Sequence, residues 1–188
     1  MTTAYPPSSE TLGIHIPLCS SKNLLNMDEL KTLVRNLEVD RLKSILKEEV
    51  NLKGTLLSVC CSQSTDHKTQ KGIIKLLLKN GVNINEIDKN GVTPIHRAVR
   101  FRNPKIVQFL IKNGADVNSI DKRSKSTPLH RAVVSSGAPS TKGKTKEVIE
   151  IIKILIASGA DPKIKNKLGK TPLDYVRNEA IKKLLRNQ

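Results

Sequence analysis

The pattern that comes nearest to a catalytic motif runs from Gly137 to Thr145 and reads GAPSTKGKT. A phosphate-binding loop requires the spacing G-x-x-x-x-G-K-[S/T], because successive backbone N–H groups must close around phosphate oxygens at a helix N-terminus. Here five residues, not four, separate Gly137 from Gly143. The segment also follows a predicted helix, whereas a phosphate-binding loop follows a buried strand. A lysine-rich insertion is therefore the favoured interpretation, and a nucleotide-binding enzyme using residues 137–145 is a remote alternative.

The cysteine and histidine residues offer a second candidate, a metal site. Cys60 and Cys61 precede His67, but this spacing of two adjacent thiols and an imidazole matches no standard zinc site. His96 and His130 are 34 residues apart, and neither has a neighbouring Cys or His. We therefore predict no metal site, and we expect the two cysteines to be small buried residues of a helix. The odd total of three cysteines makes no disulfide framework, and reduced thiols are typical of the cytoplasm.

No other part of the sequence indicates a catalytic centre. No local signature places a Ser/His/Asp or Cys/His set. Glu48 and Glu49 are adjacent carboxylates at an expected helix end, where solvation explains them. The sequence therefore predicts a protein that is not an enzyme and that uses no cofactor.

Two short phrases recur along the chain and divide it into units. The first, Thr-Pro-[Ile/Leu]-His-Arg-Ala, begins at Thr93 and Thr127, and a partial copy, Thr-Pro-Leu-Asp, begins at Thr171. The second is a glycine phrase after an apolar stretch, and its copies lie around Gly81, Gly114 and Gly159. Two motifs that recur in phase, with Gly81 and Gly114 spaced by 33 residues, resemble the ankyrin repeat. The resemblance covers residues 55–188 and implies an all-α solenoid of stacked helix–turn–helix units with β-hairpin finger loops.

The same phrases can be interpreted physically in the second unit. Thr93 suits a helix N-cap, and Pro94 suits the first helical position because it has no N–H to leave unbonded. Asn103 and Pro104 break this inner helix, and Gly114 suits the positive φ that follows the end of an outer helix. The predicted buried faces are Ile95, Ala98 and Val99 on the inner helix, and Ile106, Val107, Leu110 and Ile111 on the outer helix.

The repeat register divides the chain into a tail and one domain. Residues 1–25 are predicted to be a flexible tail, and residues 26–188 the repeat domain. Within the domain we predict an N-terminal cap at 27–54, repeats at about 55–87, 88–120 and 121–165, and a C-terminal cap at 166–188. The first repeat carries about five extra residues near 62–71 and the third about eleven near 135–145. Both insertions are predicted to be loops between the inner and outer helices.

The charge of the chain is strongly positive and unevenly distributed. The formal net charge is +16, and residues 121–188 contain 16 Lys/Arg against 6 Asp/Glu. A charge of this size favours acidic partners, whether protein faces, nucleic acid or anionic lipid, although a lysine-rich composition that serves solubility explains it equally well. Aromatic residues make up only 2%, which counts against recognition of nucleic acid by base stacking. No apolar run suits a membrane span, and the N-terminus shows no signal-peptide pattern.

The resemblance also implies where partners bind, because ankyrin stacks use their finger tips and the exposed side of their inner helices. The expected partner-binding residues are Lys89, Asn90, Val92, Arg97, Arg100, Phe101, Arg123, Ser126, Arg131, Val134, Lys167 and Lys170. Phe101 between two arginines has the composition of an interface hot spot; packing against a neighbouring inner helix is the alternative. His96 and His130 are expected to be structural, each hydrogen-bonding the turn of an adjacent unit.

The sequence thus favours a non-catalytic protein–protein interaction module of adaptor, inhibitor or effector type. It would bind an acidic partner surface through a basic concave face. Charge-driven binding to nucleic acid or to an anionic surface is the alternative. We expect a monomer in the cytoplasm, either of the producing cell or of a host if the protein is a delivered effector. The Lys, Asn and Ile content is typical of a microbial protein.

Overall fold

The structure is a computed structural model that describes residues 27–46, 56–62, 66–136 and 145–186. The α-helices in these ranges are α1 (Met27–Arg35), α2 (Val39–Ile45), α3 (Leu56–Cys61), α4 (His67–Lys79), α5 (Pro94–Arg100), α6 (Pro104–Lys112), α7 (Pro128–Ser136), α8 (Thr145–Ala157) and α9 (Glu179–Arg186). A 3-10 turn, Pro172–Tyr175, lies between α8 and α9. The predicted tail (1–25), the 137–144 part of the phosphate-loop-like segment and most of 46–54 lie outside the described residues.

The helices form two layers that run along the stack. In the inner layer α1, α3, α5, α7 and the 3-10 turn each contact the next, and in the outer layer α2, α4, α6, α8 and α9 do the same. Each inner helix also contacts the outer helix that follows it in the chain. The predicted solenoid of helix–turn–helix units is therefore confirmed.

Aliphatic side chains fill the space between the two layers. In the second unit Ile95, Ala98 and Val99 of α5 face Ile106, Val107 and Leu110 of α6, and all six are at most 1% exposed. Full burial of one large aliphatic side chain stabilises a fold by about 1.5–3 kcal/mol. Because each unit is only two helices thick, this apolar surface is covered by the units on either side.

Local sequence signals set the ends of the helices as expected. Three inner elements begin with the proline of the Thr-Pro phrase, at Pro94, Pro128 and Pro172. Asn103 caps α6, since its Oδ1 accepts the Ile106 N–H at 3.2 Å. The outer helices are followed by glycines with positive φ, at Gly81, Gly114 and Gly159.

The second half of the first insertion belongs to a longer outer helix, where the repeat comparison predicts a loop; residues 63–65 lie outside the described residues. Residues 67–71 belong to α4, which has 13 residues where α6 has 9. Asp66 starts this extra turn because its carboxylate accepts the N–H groups of Lys68 and Thr69 at 3.1 and 2.9 Å. In the third unit α8 also has 13 residues and begins at Thr145, so the end of that insertion is helical too.

The finger loops are tight turns in the described part of the chain, with no strand assigned there. In the second unit the closing bonds are Asp88 N–H to Val92 O at 3.1 Å and Gly91 N–H to Asp88 O at 2.8 Å. Two bonds around a five-residue turn are too few to make a strand ladder. None of the helices described here is long and apolar enough to cross a lipid bilayer.

Candidate interaction surface

Each finger is held at its base by an acidic or amide side chain. The Asp88 carboxylate accepts the N–H groups of Asn90 and Val92 at 2.8 and 2.9 Å. In the next finger Asp121 accepts the Ser124 N–H at 2.7 Å, and in the last one Asn166 accepts the Leu168 N–H at 2.9 Å. Short side chains that bond their own backbone in this way fix the shape of a turn.

The same three side chains connect the fingers to the inner layer. Asp88 binds Arg97 at 2.6 Å, Asp121 binds Arg131 at 3.2 Å, and Asn166 Nδ2 donates to the Tyr175 hydroxyl at 2.8 Å. Burial raises the pKa of Asp88 and of Asp121, but the hydrogen bonds and the arginine charges outweigh it and leave both pKa values below their usual range. The guanidinium groups of Arg97 and Arg131 are thus already matched by internal carboxylates.

The two repeat histidines connect neighbouring units, as expected from the resemblance. His96 Nε2 lies 3.1 Å from the carbonyl of Ser126, and His130 Nε2 lies 3.1 Å from the carbonyl of Lys170. A carbonyl only accepts, so Nε2 carries the proton, while Nδ1 of His96 accepts from the Thr93 hydroxyl at 2.8 Å. Burial lowers the pKa of His96 to about 4 and also lowers that of His130. Both imidazoles are therefore neutral at pH 7.

Backbone hydrogen bonds align successive fingers. The Lys122 N–H donates to the Asn90 carbonyl and the Lys167 N–H to the Ser124 carbonyl, both at 2.8 Å. The fingers therefore stand in one row beside the inner helices, and the surface between row and helices is continuous.

This surface contains two adjoining cavities. The larger has a volume of about 590 Å³ and lies between α7 and the last two fingers. The smaller cavity, of about 170 Å³, lies between the fingers that begin at Asp88 and Asp121 and the inner helices behind them. Arg100, Arg123, Ser124 and Arg131 line both cavities. We call the two together the concave groove.

Most of the expected partner-binding residues meet in the concave groove. Arg100, Arg123, Ser126, Arg131, Val134 and Lys167 line the larger cavity, and Asn90, Val92 and Arg97 line the smaller one. Lys89, Phe101 and Lys170 line neither cavity. Val92 is only 5% exposed, so its side chain offers little area to a partner. Phe101 is half-buried at the end of α5.

The expected set omitted Tyr175, which lines the larger cavity and has the Lys170 ammonium 5.7 Å from its ring centre. The repeat register could have found it, because Tyr175 stands four residues after Thr171 as Arg97 stands four after Thr93. Leu168, which the resemblance also places on the last finger with Lys167 and Lys170, has a side chain that is 74% exposed.

Comparison with known proteins agrees with this geometry. The family model for ankyrin repeats, which spans three copies of the repeat, matches two overlapping ranges, residues 26–121 and 66–166. The chain belongs to the ankyrin repeat family. Ankyrin repeats are protein–protein interaction modules, and the family is generally not enzymatic.

The ankyrin match extends to individual relatives of different kinds. An ankyrin repeat protein of Fowlpox virus is 57% identical over 35 residues, which are 19% of this chain and 25% of that protein. The human SMC5-SMC6 complex localization factor protein 1 is 30% identical over 183 residues, 94% of this chain and 16% of that protein. A glycerophosphocholine phosphodiesterase of Schizosaccharomyces pombe is 28% identical over 162 residues, 82% of this chain and 13% of that enzyme. The chain spans a quarter or less of the length of each.

Within the ankyrin stack the two cysteines are packing residues. Cys60 and Cys61 are buried in α3, and burial raises the pKa of Cys60 to about 12. Gln70 Nε2 donates to the Cys60 carbonyl at 3.1 Å, and Asn103 Nδ2 donates to Gln70 Oε1 at 3.1 Å and lies 3.2 Å from His67 Nδ1. This buried network joins α3, α4 and the start of α6. In the ranges that the structure covers, no three His, Cys, Asp or Glu side chains are grouped to hold a metal ion.

Proposed function

We propose that this ankyrin stack is an adaptor-type binding module that docks an acidic protein surface in the concave groove. The observation that carries the proposal is a set of three exposed cations, Arg100, Arg123 and Lys167, that line the larger cavity. Arg97 and Arg131 beside them have internal acidic partners, whereas these three have no ion pair within the described residues. A concave surface with unmatched positive charge favours a partner with carboxylates.

Two further points support an adaptor. Among the described residues, Asp121 is the only acidic one that lines either cavity, and its carboxylate is already bonded to Arg131 and Ser124. One relative is named as a localization factor of the SMC5-SMC6 complex, and this name, unlike that of an enzyme, is compatible with an adaptor. The named enzyme relative shares 13% of its length with this chain, so the match gives no reason to propose its reaction here.

The test is a comparison of two charge-reversed proteins in affinity capture from the native organism. The groove variant carries Arg100→Glu, Arg123→Glu and Lys167→Glu, and the matched control carries Lys68→Glu, Lys79→Glu and Lys112→Glu on the outer layer. Each variant replaces three exposed cations with Glu, so the two variants change the net charge equally. We expect the captured partner to be retained by the wild type and the control and lost by the groove variant. If all three proteins retain every partner equally, the groove assignment is wrong.

A second candidate function, binding of a polyanion such as nucleic acid, follows from the opposite face. Helices α4 and α6 contain no acidic residue within their bounds and present the lysines Lys68, Lys71, Lys75, Lys79, Lys105 and Lys112. Phosphate neutralisation by such a row gives binding that weakens steeply with salt. Titration of duplex DNA at low and at physiological salt tests it, since this candidate predicts that the outer-layer variant loses binding and that the groove variant keeps it.

A further inference from the structure

The larger cavity of the concave groove is lined by exposed apolar side chains as well as by cations. Val134 is 53% and Leu168 is 74% exposed, and the half-buried Tyr175 lies beside them. Among the described residues only two other large aliphatic side chains, Ile87 and Ile120, are comparably exposed, and neither lines this cavity. Exposed apolar groups gathered around a concavity mark a place where a partner's apolar side chain is buried.

The volume of the larger cavity suits one large side chain of a partner together with the short backbone segment that carries it. Cavities that bind ligands measure about 300–1,000 Å³, and the larger one here is about 590 Å³. The smaller cavity, at about 170 Å³, is too small for a second anchor and is bordered by polar and charged groups such as Asn90, Arg97 and Asp121.

Positive charge stands at the boundary between the two cavities. Arg100 and Arg123 are exposed, line both, and have no ion-pair partner within the described ranges. A carboxylate placed there would lie directly beside an apolar group in the larger cavity. Arginine binds carboxylates through two parallel hydrogen bonds, which adds direction to the attraction.

Tyr175 adds a hydrogen-bond donor to the apolar cavity. Its hydroxyl oxygen accepts from Asn166 Nδ2 at 2.8 Å, and the hydroxyl proton has no acceptor in the described part of the chain. A partner's carbonyl or carboxylate oxygen would satisfy this proton.

We propose that the concave groove binds a short acidic peptide segment in which one large apolar side chain lies next to Asp or Glu. The apolar side chain packs against Val134, Leu168 and Tyr175, and the neighbouring carboxylate binds Arg100 and Arg123. This inference rests on the proposed function and names the class of ligand. A partner that is only acidic would not bury the apolar side chains of the larger cavity.

The probe is a displayed library of random short peptides, selected on the full chain and then measured as free labelled peptides. We expect selected sequences to combine a large apolar residue with adjacent Asp or Glu. Leu168→Ser and Arg123→Gln should each lower the affinity of the protein for these peptides roughly tenfold or more. The matched controls, Ile87→Ser and Lys112→Gln, make comparable changes (an aliphatic side chain to Ser, a cation to Gln) on exposed residues outside the groove and should leave affinity unchanged. Thermal unfolding of each variant confirms that it folds.

The outcomes separate this inference from the proposed function. Failure to enrich any peptide, or enrichment of acidic peptides that Leu168→Ser does not weaken, overturns the apolar anchor. If the captured natural partner is still lost by the groove variant in that case, the proposed function stands without the anchor. If neither the selected peptides nor the natural partner respond to the groove substitutions, both are wrong.

Discussion

At the scale of single residues, successive repeats perform one structural task with different chemistry. The finger base and the inner element are joined by Asp88 with Arg97, by Asp121 with Arg131, and by the neutral pair of Asn166 with Tyr175. Both members change together in the last unit. Because an unmatched charge at a half-buried position is costly, the exchange of one member alone would leave its partner without a suitable group. The pairing therefore keeps the fingers rigid while their outward residues vary.

The histidine that joins two units makes stability depend on pH. Unfolded His96 takes up a proton below its ordinary pKa of about 6.5, whereas in the fold its pKa is about 4. Stability is therefore present above pH 6.5 and is lost as the pH falls towards 4, by up to about 3 kcal/mol for this group. We expect His96→Gln to be less stable than the wild type at pH 7, by about 1–2 kcal/mol for the lost hydrogen bonds, and to lack this part of the acid loss.

The measurement is urea unfolding of both proteins at pH 7 and near pH 4.5. Glu86 titrates in the opposite sense, because burial raises its pKa to about 7 and the folded state gains stability as it is protonated. It is present in both proteins, so its contribution cancels in the difference between them. A difference in unfolding free energy that stays constant with pH would contradict the role given to His96.

At the scale of the elements, the sequence predicts the parts that depend on local signals and misses those that depend on neighbours. The Thr-Pro phrase and the glycines mark helix ends correctly, since caps and positive φ are local properties. The extra turn of α4 begins at a local cap, Asp66. Its buried residue Gln70, however, accepts a hydrogen bond from Asn103 of the next unit, and a local sequence pattern does not show such a contact. The sequence predicts the groove only as a face, and it does not single out Tyr175 because the other two copies of the Thr-Pro phrase have arginine at that position, Arg97 and Arg131.

The contact between the Asp88 finger and the Asp121 finger depends on Gly91. Gly91 has φ +72°, and a Cβ placed there would lie 2.7 Å from the Lys122 backbone nitrogen, which bonds the neighbouring carbonyl of Asn90. Gly81 has φ +83° with nothing within 4 Å, so Gly81→Ala measures the backbone cost alone, about 1–2 kcal/mol. We expect Gly91→Ala to lower the free energy of unfolding by clearly more than Gly81→Ala and to weaken binding in the groove. Equal losses in chemical denaturation would show that the finger row tolerates the displacement.

At the scale of the whole molecule, hydrogen bonds between neighbouring units couple their stabilities. Asn118 is one of the side chains that join them: its Nδ2 donates to the Gly159 carbonyl at 3.0 Å, and its Oδ1 accepts the Asp161 N–H at 2.8 Å. Asn85 makes the same two bonds to Gly114 and Asp116 one unit earlier. In a stack where each repeat contacts only its neighbours, such bonds set how strongly the units unfold together.

Removal of the Asn118 connection should therefore loosen one side of the stack selectively. We expect Asn118→Ala to speed amide hydrogen exchange in α8 and at Asp161 roughly tenfold, for a loss of about 1.4 kcal/mol, with a smaller change in α5 and α6. Asn113→Ala is the control, because Asn113 makes its side-chain bond within its own unit, to the Phe109 carbonyl at 2.7 Å. Uniform acceleration across all helices in Asn118→Ala would mean that the described stack unfolds as one cooperative body. In that case the C-terminal part of the groove, with Leu168 and Tyr175, has no independent mobility with which to adapt to a partner.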